Sequence, residues 1–252
     1  MSPAAPALMK KIGLIGGIGF PSTLTYYRRL NELVNQRLGR SHSARLVLES
    51  LDFQPIAQML VRGDGAAIAA ELLAASQRLV DAGAEMVAMC CNTVHKYATA
   101  VEYGIDVPLI NMCRCTAREA DRQGARTVAL MGSAFSMEES FYRSEFARQG
   151  LDMKVPGRAD RAFIQHAIET ELTVGRVSEA TRERFVRIAR ELCESGADAL
   201  VLACTEIPLV IDPCDVDMPV LDTVEIHCAA IVLQALGAEP VNARRSACGS
   251  PT

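Results

Sequence analysis

The features that would place this 252-residue chain among nucleic-acid or membrane proteins are missing. There is no cluster of basic residues and the formal net charge is −4, which argues against nucleic acid as a main partner. No apolar run approaches the roughly 20 residues of a membrane-spanning helix. Lys10 and Lys11 lead into a short segment broken by glycines, so no signal peptide is predicted.

The nine cysteines lack the spacing of a metal site. Cys113 and Cys115 are separated by one residue rather than the two of a zinc knuckle, and no second pair completes a site. We predict no metal. Several cysteines lie inside apolar runs, where they are typical of small core residues. This usage indicates a reducing compartment, and we expect the cytoplasm.

Short β-branched segments alternate with helical patterns along the chain, and half of the residues are apolar. This alternation predicts parallel sheets covered on both faces. Ser22 or Thr23 is the expected cap of the first helix. Strands are predicted at 11–17, 44–52, 85–90, 107–111, 126–132, 151–155, 198–203 and 218–222. Helices are predicted from 22 or 23 to 38, at 68–82, from about 93, and at 113–123, 137–149, 159–171, 178–194 and 224–236.

An internal repeat is the most informative pattern. Residues 81–93 align without a gap with residues 194–206, at a shift of 113, and Cys91 falls on Cys204. Two further apolar segments recur in the same order, 11–17 with 126–132 and 107–111 with 218–222. Interchangeable apolar strands are the alternative explanation, but they do not account for the matched order, spacing and cysteines together.

The repeat predicts an α/β fold of two pseudo-symmetric parallel-sheet halves, with the active site in the cleft between them. The predicted organisation has four parts: a first half at 10–115, a second half at 116–223, a C-terminal helix at 224–237 that packs back on the first half, and a mobile tail at 238–252. Residues 1–9 are expected to be loose.

Cys91 and Cys204 each end a predicted strand, at the sheet edge where open parallel sheets bind ligands. Cys90 aligns with Ala203, so the repeat selects Cys91 over its neighbour. Free backbone N–H groups at this position are expected to lower the thiol pKa. Two thiols on opposite faces of one carbon can remove a proton from one side and return it on the other. The alternative for any single cysteine is a buried structural role.

The neighbours of the two thiols suit the same chemistry. Asn92, Thr93 and Thr205 supply donors that can hold a carboxylate and stabilise an enediolate. His95 could tune the thiol or contact substrate, or be a histidine on a helix surface. Glu206 could accept a proton relayed from the second thiol, or be a plain cap carboxylate.

The loop at 16–23 is rich in glycine and precedes a helix, which allows backbone amides to approach an anion. Gly13, Gly16 and Gly19 loosely imitate a dinucleotide loop, with Asp52 closing the next strand. Their spacing is not the dinucleotide fingerprint, and a dinucleotide site would leave the paired cysteines unexplained.

At these residues the chain resembles the aspartate/glutamate racemase family, which works without pyridoxal phosphate. The resemblance is carried by the loop at 16–23 and by the motifs at 91–95 and 204–208. It implies Cys91 and Cys204 as the catalytic pair, no cofactor, an amino-acid substrate and, commonly for the family, a homodimer. It further implies substrate-carboxylate contacts from Asn92, Thr93, Thr205, Ser22 and Thr23.

The first loop and the sequence Cys204-Thr-Glu make the aspartate-racemase-like branch the closer match. Members that act on acidic substrates often have a lysine near residue 159, and this chain has none there. Arg161, Arg158 and Arg62 are the alternative cations for a substrate carboxylate, while Phe163 would provide an apolar wall. The pattern therefore predicts racemisation of a range of amino acids, acidic ones included. Alternatives are a hydantoin racemase, a maleate isomerase or a decarboxylase of the same fold, or a two-lobed small-molecule binding protein without catalysis.

Overall fold

The computed structural model describes residues 9–237. Residues 1–8 of the predicted loose start and the predicted mobile tail at 238–252 lie outside the described residues. Within the described part of the chain, no helix is both long and apolar enough to cross a membrane.

The first half alternates strands and helices as the repeat predicts. Its elements, in chain order, are β1 Ile12–Gly16, α1 Phe20–Leu38, β2 Leu46–Ser50, α2 Phe53–Arg62, α3 Gly65–Asp81, β3 Met86–Met89, a 3₁₀ turn Thr93–Tyr97, α4 Ala98–Gly104 and α5 Met112–Arg122. Its sheet is parallel with the strand order β2-β1-β3.

The second half repeats this plan. Its elements are β4 Thr127–Gly132, α6 Ala134–Glu138, α7 Ser140–Arg148, β5 Asp152–Lys154, α8 Arg158–Thr170, a 3₁₀ turn Leu172–Val174, α9 Glu179–Glu194, β6 Ala199–Ala203, 3₁₀ turns Ile207–Leu209 and Pro213–Asp215, β7 Val220–Asp222 and α10 Thr223–Leu236. Its sheet is parallel with the order β5-β4-β6-β7. The two parallel sheets confirm the predicted fold class.

One predicted strand, at 107–111, is wrong. This segment forms only an isolated parallel bridge between Val87 and Leu109, at the position that β7 occupies in the second half. Asn111 already caps α5 by accepting the N–H of Arg114, so the extended stretch is too short for a ladder.

The predicted cap of α1 is also wrong. The helix begins earlier, with Gly19 as the cap residue and Pro21 in the first turn, where a missing N–H costs nothing. Ser22 and Thr23 are therefore buried side chains within the helix rather than its cap. Helix α2 was not predicted; Asp52 caps it by accepting the N–H of Gln54.

Helix α10 joins the halves by packing against α1 and α5 of the first half. Tyr26 on α1 donates its hydroxyl to Nδ1 of His227 on α10 at 2.7 Å, and both side chains are fully buried. Arg29 and Glu225 add an ion pair of 2.6 Å at the rim of the same contact. Apolar side chains of β1, β3, α1 and α10 form one continuous core there.

Candidate functional site

The two aligned cysteines lie at corresponding places in the two halves. Cys91 follows β3 and Cys204 directly follows β6, each at the carboxyl end of its sheet and each just before a 3₁₀ turn. Both side chains are partly accessible, whereas Cys90 is only 1% exposed and packs in the first-half core. The negative charge of a Cys91 thiolate raises the pKa of Cys204, so the two sulfurs share one electrostatic environment.

The expected lowering of the thiol pKa is wrong for both cysteines. Burial raises the pKa of Cys91, because a thiolate loses its hydration there. Hydrogen bonds from the N–H groups of Val94 and Thr93 and from the Thr93 hydroxyl lower it in part, and the Glu206 charge raises it further. The helix-start donors predicted from sequence are thus present, but desolvation outweighs them.

Cys204 is held more firmly in its protonated form. Burial raises its pKa well above the usual value, and the carboxylate of Glu206 adds to this through its charge and a hydrogen bond. The thiol donates to Glu206 Oε2 at 3.0 Å. Among residues 9–237, Glu206 forms no ion pair, so its charge acts on the thiols without a neutralising cation. The geometry therefore places a proton acceptor directly on the second thiol.

The hydroxyls of Ser22 and Thr205 meet across the two halves at 2.8 Å. Thr205 follows Cys204 directly, and Ser22 lies in the first turn of α1. This pair can present two hydroxyl groups to an anionic group of a ligand.

Thr23 contacts the glycine loop. Its Oγ1 accepts the N–H of Gly17 at 2.8 Å, and its methyl group lies where a Cβ on Gly16 would come within 2.4 Å. The structure thus uses Thr23 to shape the glycine loop, and only glycine fits at position 16.

Asn92 and Thr93 reach towards the second half. The Asn92 oxygen Oδ1 accepts a hydrogen bond from the Tyr142 hydroxyl of α7, and the Thr93 hydroxyl lies 3.4 Å from that of Ser133. The sequence prediction missed both Tyr142 and Ser133. Ser133 follows β4, which repeats β1, so the repeat could have identified it; Tyr142 lies inside a helix and gives no comparable signal.

His95 is buried, at 3% exposure, and is not a surface histidine. Its Nε2 accepts the N–H of Met112 at 3.1 Å, which leaves Nδ1 to donate to the carbonyl of Cys91 at 2.8 Å. Burial lowers the pKa of His95 to about 4. Both ring nitrogens are therefore engaged, and the neutral ring fixes the backbone at Cys91.

Three arginines and Phe163 were candidates to surround the side chain of the substrate. Arg161 forms an ion pair with Glu138 at 2.9 Å and donates to the carbonyl of Pro156 at 2.9 Å. Arg62 and Arg158 are exposed, at the end of α2 and the start of α8. Phe163 packs against Phe185 and the second-half core, and the guanidinium of Arg184 lies 4.0 Å above its ring. Arg161 and Phe163 thus already have partners of their own.

Comparison with known proteins gives a consistent result. A model of the family described as Asp/Glu/Hydantoin racemase matches residues 15–231. A solved structure of a candidate Asp/Glu racemase from Yersinia pestis is 37% identical, with a TM-score of 0.87, over 90% of this chain and 100% of that chain. An aspartate racemase homologue from Pyrococcus horikoshii OT3 is 32% identical, with a TM-score of 0.81, over 90% and 99% of the two chains.

A more distant curated relative is the broad specificity amino-acid racemase RacX of Bacillus subtilis (strain 168). It is 20% identical over 215 residues, which cover 84% of this chain and 92% of that protein.

Proposed function

Because the chain belongs to the Asp/Glu/Hydantoin racemase family, we propose that it racemises amino acids by two-base proton transfer between Cys91 and Cys204. The observation that carries this proposal is the pair of partly accessible thiols at corresponding strand ends, each under the influence of the other's charge or of Glu206. In this proposal no pyridoxal phosphate or metal takes part.

In one direction the Cys91 thiolate removes the α-proton and the Cys204 thiol supplies a proton to the opposite face. The reverse direction starts from the state that the first direction leaves: the Cys204 thiolate removes the α-proton and the Cys91 thiol supplies one to the opposite face. Glu206 Oε2, which is hydrogen-bonded to Cys204 at 3.0 Å, exchanges a proton with this sulfur between turnovers, while Cys91 exchanges one with solvent. In each direction the thiol and the thiolate change places between Cys91 and Cys204, so the number of protons on the pair stays constant. Raised thiol pKa values make a bound thiolate a stronger base, which suits a weakly acidic α-proton.

The developing negative charge on the substrate carboxylate needs fixed donors in a water-poor site. We assign this task to Thr205 and Ser22, whose hydroxyls lie 2.8 Å apart, and to the amide of Asn92. Thr93 holds the Cys91 thiolate and His95 holds its backbone, so both support the reaction without contacting substrate in this scheme.

We propose a range of amino acids rather than aspartate or glutamate alone. A buried side-chain carboxylate without a cation costs several kcal/mol, and Arg161 is already engaged with Glu138 and Pro156. The likeness to a relative named as a broad specificity amino-acid racemase points in the same direction.

The test is a panel of L- and D-amino acids, each assayed for loss of optical activity and, in deuterated water, for deuterium at the α-carbon of the inverted product. Cys91→Ser and Cys204→Ser should each lower turnover about a thousandfold, since a positioned acid or base contributes ~10²–10⁴. Cys90→Ser, the neighbouring control, should be mild. An active Cys91→Ser enzyme with a dead Cys90→Ser enzyme would contradict the assignment.

The same panel separates the alternatives. A binding protein would show no turnover in any variant, and a decarboxylase of this fold would release carbon dioxide. If the α-carbon of the inverted product carries the original proton instead of deuterium, one base serves both faces.

A further inference from the structure

A tyrosine of the second half forms a hydrogen bond with a residue beside Cys91 in the first half. Tyr142 lies on α7 of the second half, is fully buried, and donates its hydroxyl to Asn92 Oδ1 of the first half. The sulfur of Met112, 3.4 Å away, is a much weaker acceptor. The neighbouring rings of Phe141 and Phe146, with centroids 5.2 and 6.0 Å away, hold the tyrosine ring in place.

This bond decides which way the Asn92 amide faces. Burial raises the pKa of Tyr142 well above its usual value, so the hydroxyl keeps its proton and must find an acceptor. The amide oxygen takes that proton, and the Nδ2 group of Asn92 therefore points away from Tyr142.

The Nδ2 group of Asn92 donates no hydrogen bond to any residue between 9 and 237. If it were sealed from solvent, it would count among the buried side-chain atoms without a hydrogen bond, which in that range are Glu102 Oε1 and Arg184 Nε only. Asn92 Nδ2 therefore keeps contact with solvent, although the residue as a whole is only 6% exposed. An open donor on a buried side chain, next to Cys91, is what a substrate oxygen would meet.

We propose that Tyr142 is a positioning residue: it locks the Asn92 amide so that its N–H donors face the substrate carboxylate in the cleft. The inference rests on the proposed racemisation for its chemical purpose. Its structural content is independent of that purpose, namely that the Tyr142 hydroxyl fixes the orientation of the Asn92 side chain. Without the hydroxyl, the amide can rotate by half a turn and present its oxygen to the carboxylate, which repels it.

Tyr142→Phe removes only the hydroxyl. We expect kcat to fall ~10–100-fold. This is less than the ~10²–10³-fold typical when an oxyanion donor is deleted outright, because the amide leaves its productive orientation only part of the time. Ser76→Ala is the matched control: it removes another fully buried hydroxyl, which donates to the carbonyl of Leu72 within helix α3 and has no bond to Asn92, and it should keep wild-type kcat.

A double-mutant cycle separates positioning from general loosening of the fold. If Tyr142 acts through Asn92, then Asn92→Ala and Asn92→Ala/Tyr142→Phe should have the same kcat within about twofold. A merely structural role predicts that the two losses multiply, and that result would overturn the proposal.

Two further measurements keep the proposal testable if Tyr142→Phe folds poorly or if no amino acid is racemised. Asn92→Asp leaves Tyr142 and its acceptor intact but removes the donor, so full kcat in that variant would refute the role of the amide. The chain has five asparagines, and selective ¹⁵N-asparagine labelling resolves their side-chain NH₂ signals, with that of Asn92 assigned by its disappearance in Asn92→Ala. The Asn92 signal should shift or broaden in Tyr142→Phe and stay unchanged in Ser76→Ala; an unchanged signal in Tyr142→Phe would overturn the inference even if the enzyme is a racemase.

Discussion

Replacing Glu206 by glutamine should make Cys204 more acidic. The change keeps an oxygen acceptor next to the thiol and removes only the negative charge. That charge and its hydrogen bond raise the pKa of Cys204, and the charge also raises the pKa of Cys91. Both values should therefore fall, and the effect should be larger at Cys204 because its sulfur lies 3.0 Å from Glu206 Oε2.

The size of the effect follows from the geometry. Two unit charges about 4 Å apart interact by about 4 kcal/mol at an effective dielectric constant of ~20. Glu206 is partly exposed to solvent, which screens its charge. We therefore expect about half of that value or less, which corresponds to a drop of at most about 1.5 in the pKa of Cys204.

The assay is the rate of alkylation by iodoacetamide as a function of pH, with fragmentation mass spectrometry to assign the label to each cysteine. Only the thiolate reacts, so the midpoint of the rate profile reports the pKa. Glu71→Gln is the control, because Glu71 is paired with Arg78 on the outer face of α3 and should leave the profile unchanged. An unchanged or higher midpoint for Cys204 in Glu206→Gln would refute the reasoning.

Two other predictions concern groups that surround the site. Burial lowers the pKa of His95 to about 4 and that of His227 to about 3, so both rings stay neutral in the folded protein, whereas the unfolded chain takes up protons below about pH 6.5. Each histidine should lower the free energy of unfolding, measured by urea unfolding, by about 2 kcal/mol when the pH falls from 7.5 to 5. His227→Gln should abolish the part of this loss that His227 causes, whereas His42→Gln, at an exposed position, should leave the pH dependence unchanged. Arg161→Ala should lower activity on acidic and neutral amino acids by the same factor, because the guanidinium is held by Glu138; a loss confined to aspartate and glutamate in side-by-side kinetics would show that Arg161 binds the substrate.

The repeat predicts the fold well because the fold depends on which positions carry buried apolar residues. Apolar periodicity and glycine stops determine where buried strands lie, and the two sheets follow the predicted strand positions except at 107–111. The exact ends of helices depend on small energy differences between neighbouring start and stop positions. Pro21 lets α1 begin before Ser22, and Glu139, in an extended conformation, divides the helix predicted at 137–149 into α6 and α7.

Side-chain environments were harder to predict than positions. The sequence predicts a lowered thiol pKa because the donors at the start of a helix can be recognised from sequence, whereas desolvation depends on packing by distant elements. His95 was expected to act on the thiol side chain or lie on the surface, but its two ring nitrogens are taken by Met112 and by the carbonyl of Cys91. Such contacts connect residues that no local pattern relates.

The two halves share one backbone plan but give their thiols different surroundings. Cys91 is bonded by backbone N–H groups and the Thr93 hydroxyl, all of which favour the thiolate. Cys204 instead donates its own proton to a carboxylate, which favours the thiol. If the halves were fully symmetric, neither sulfur would be the preferred holder of the proton, and both could be protonated or both ionised together. The asymmetry therefore makes Cys91 the easier of the two thiols to ionise and keeps the proton on Cys204, and the proposed two-base reaction needs one group in each form at the moment substrate binds.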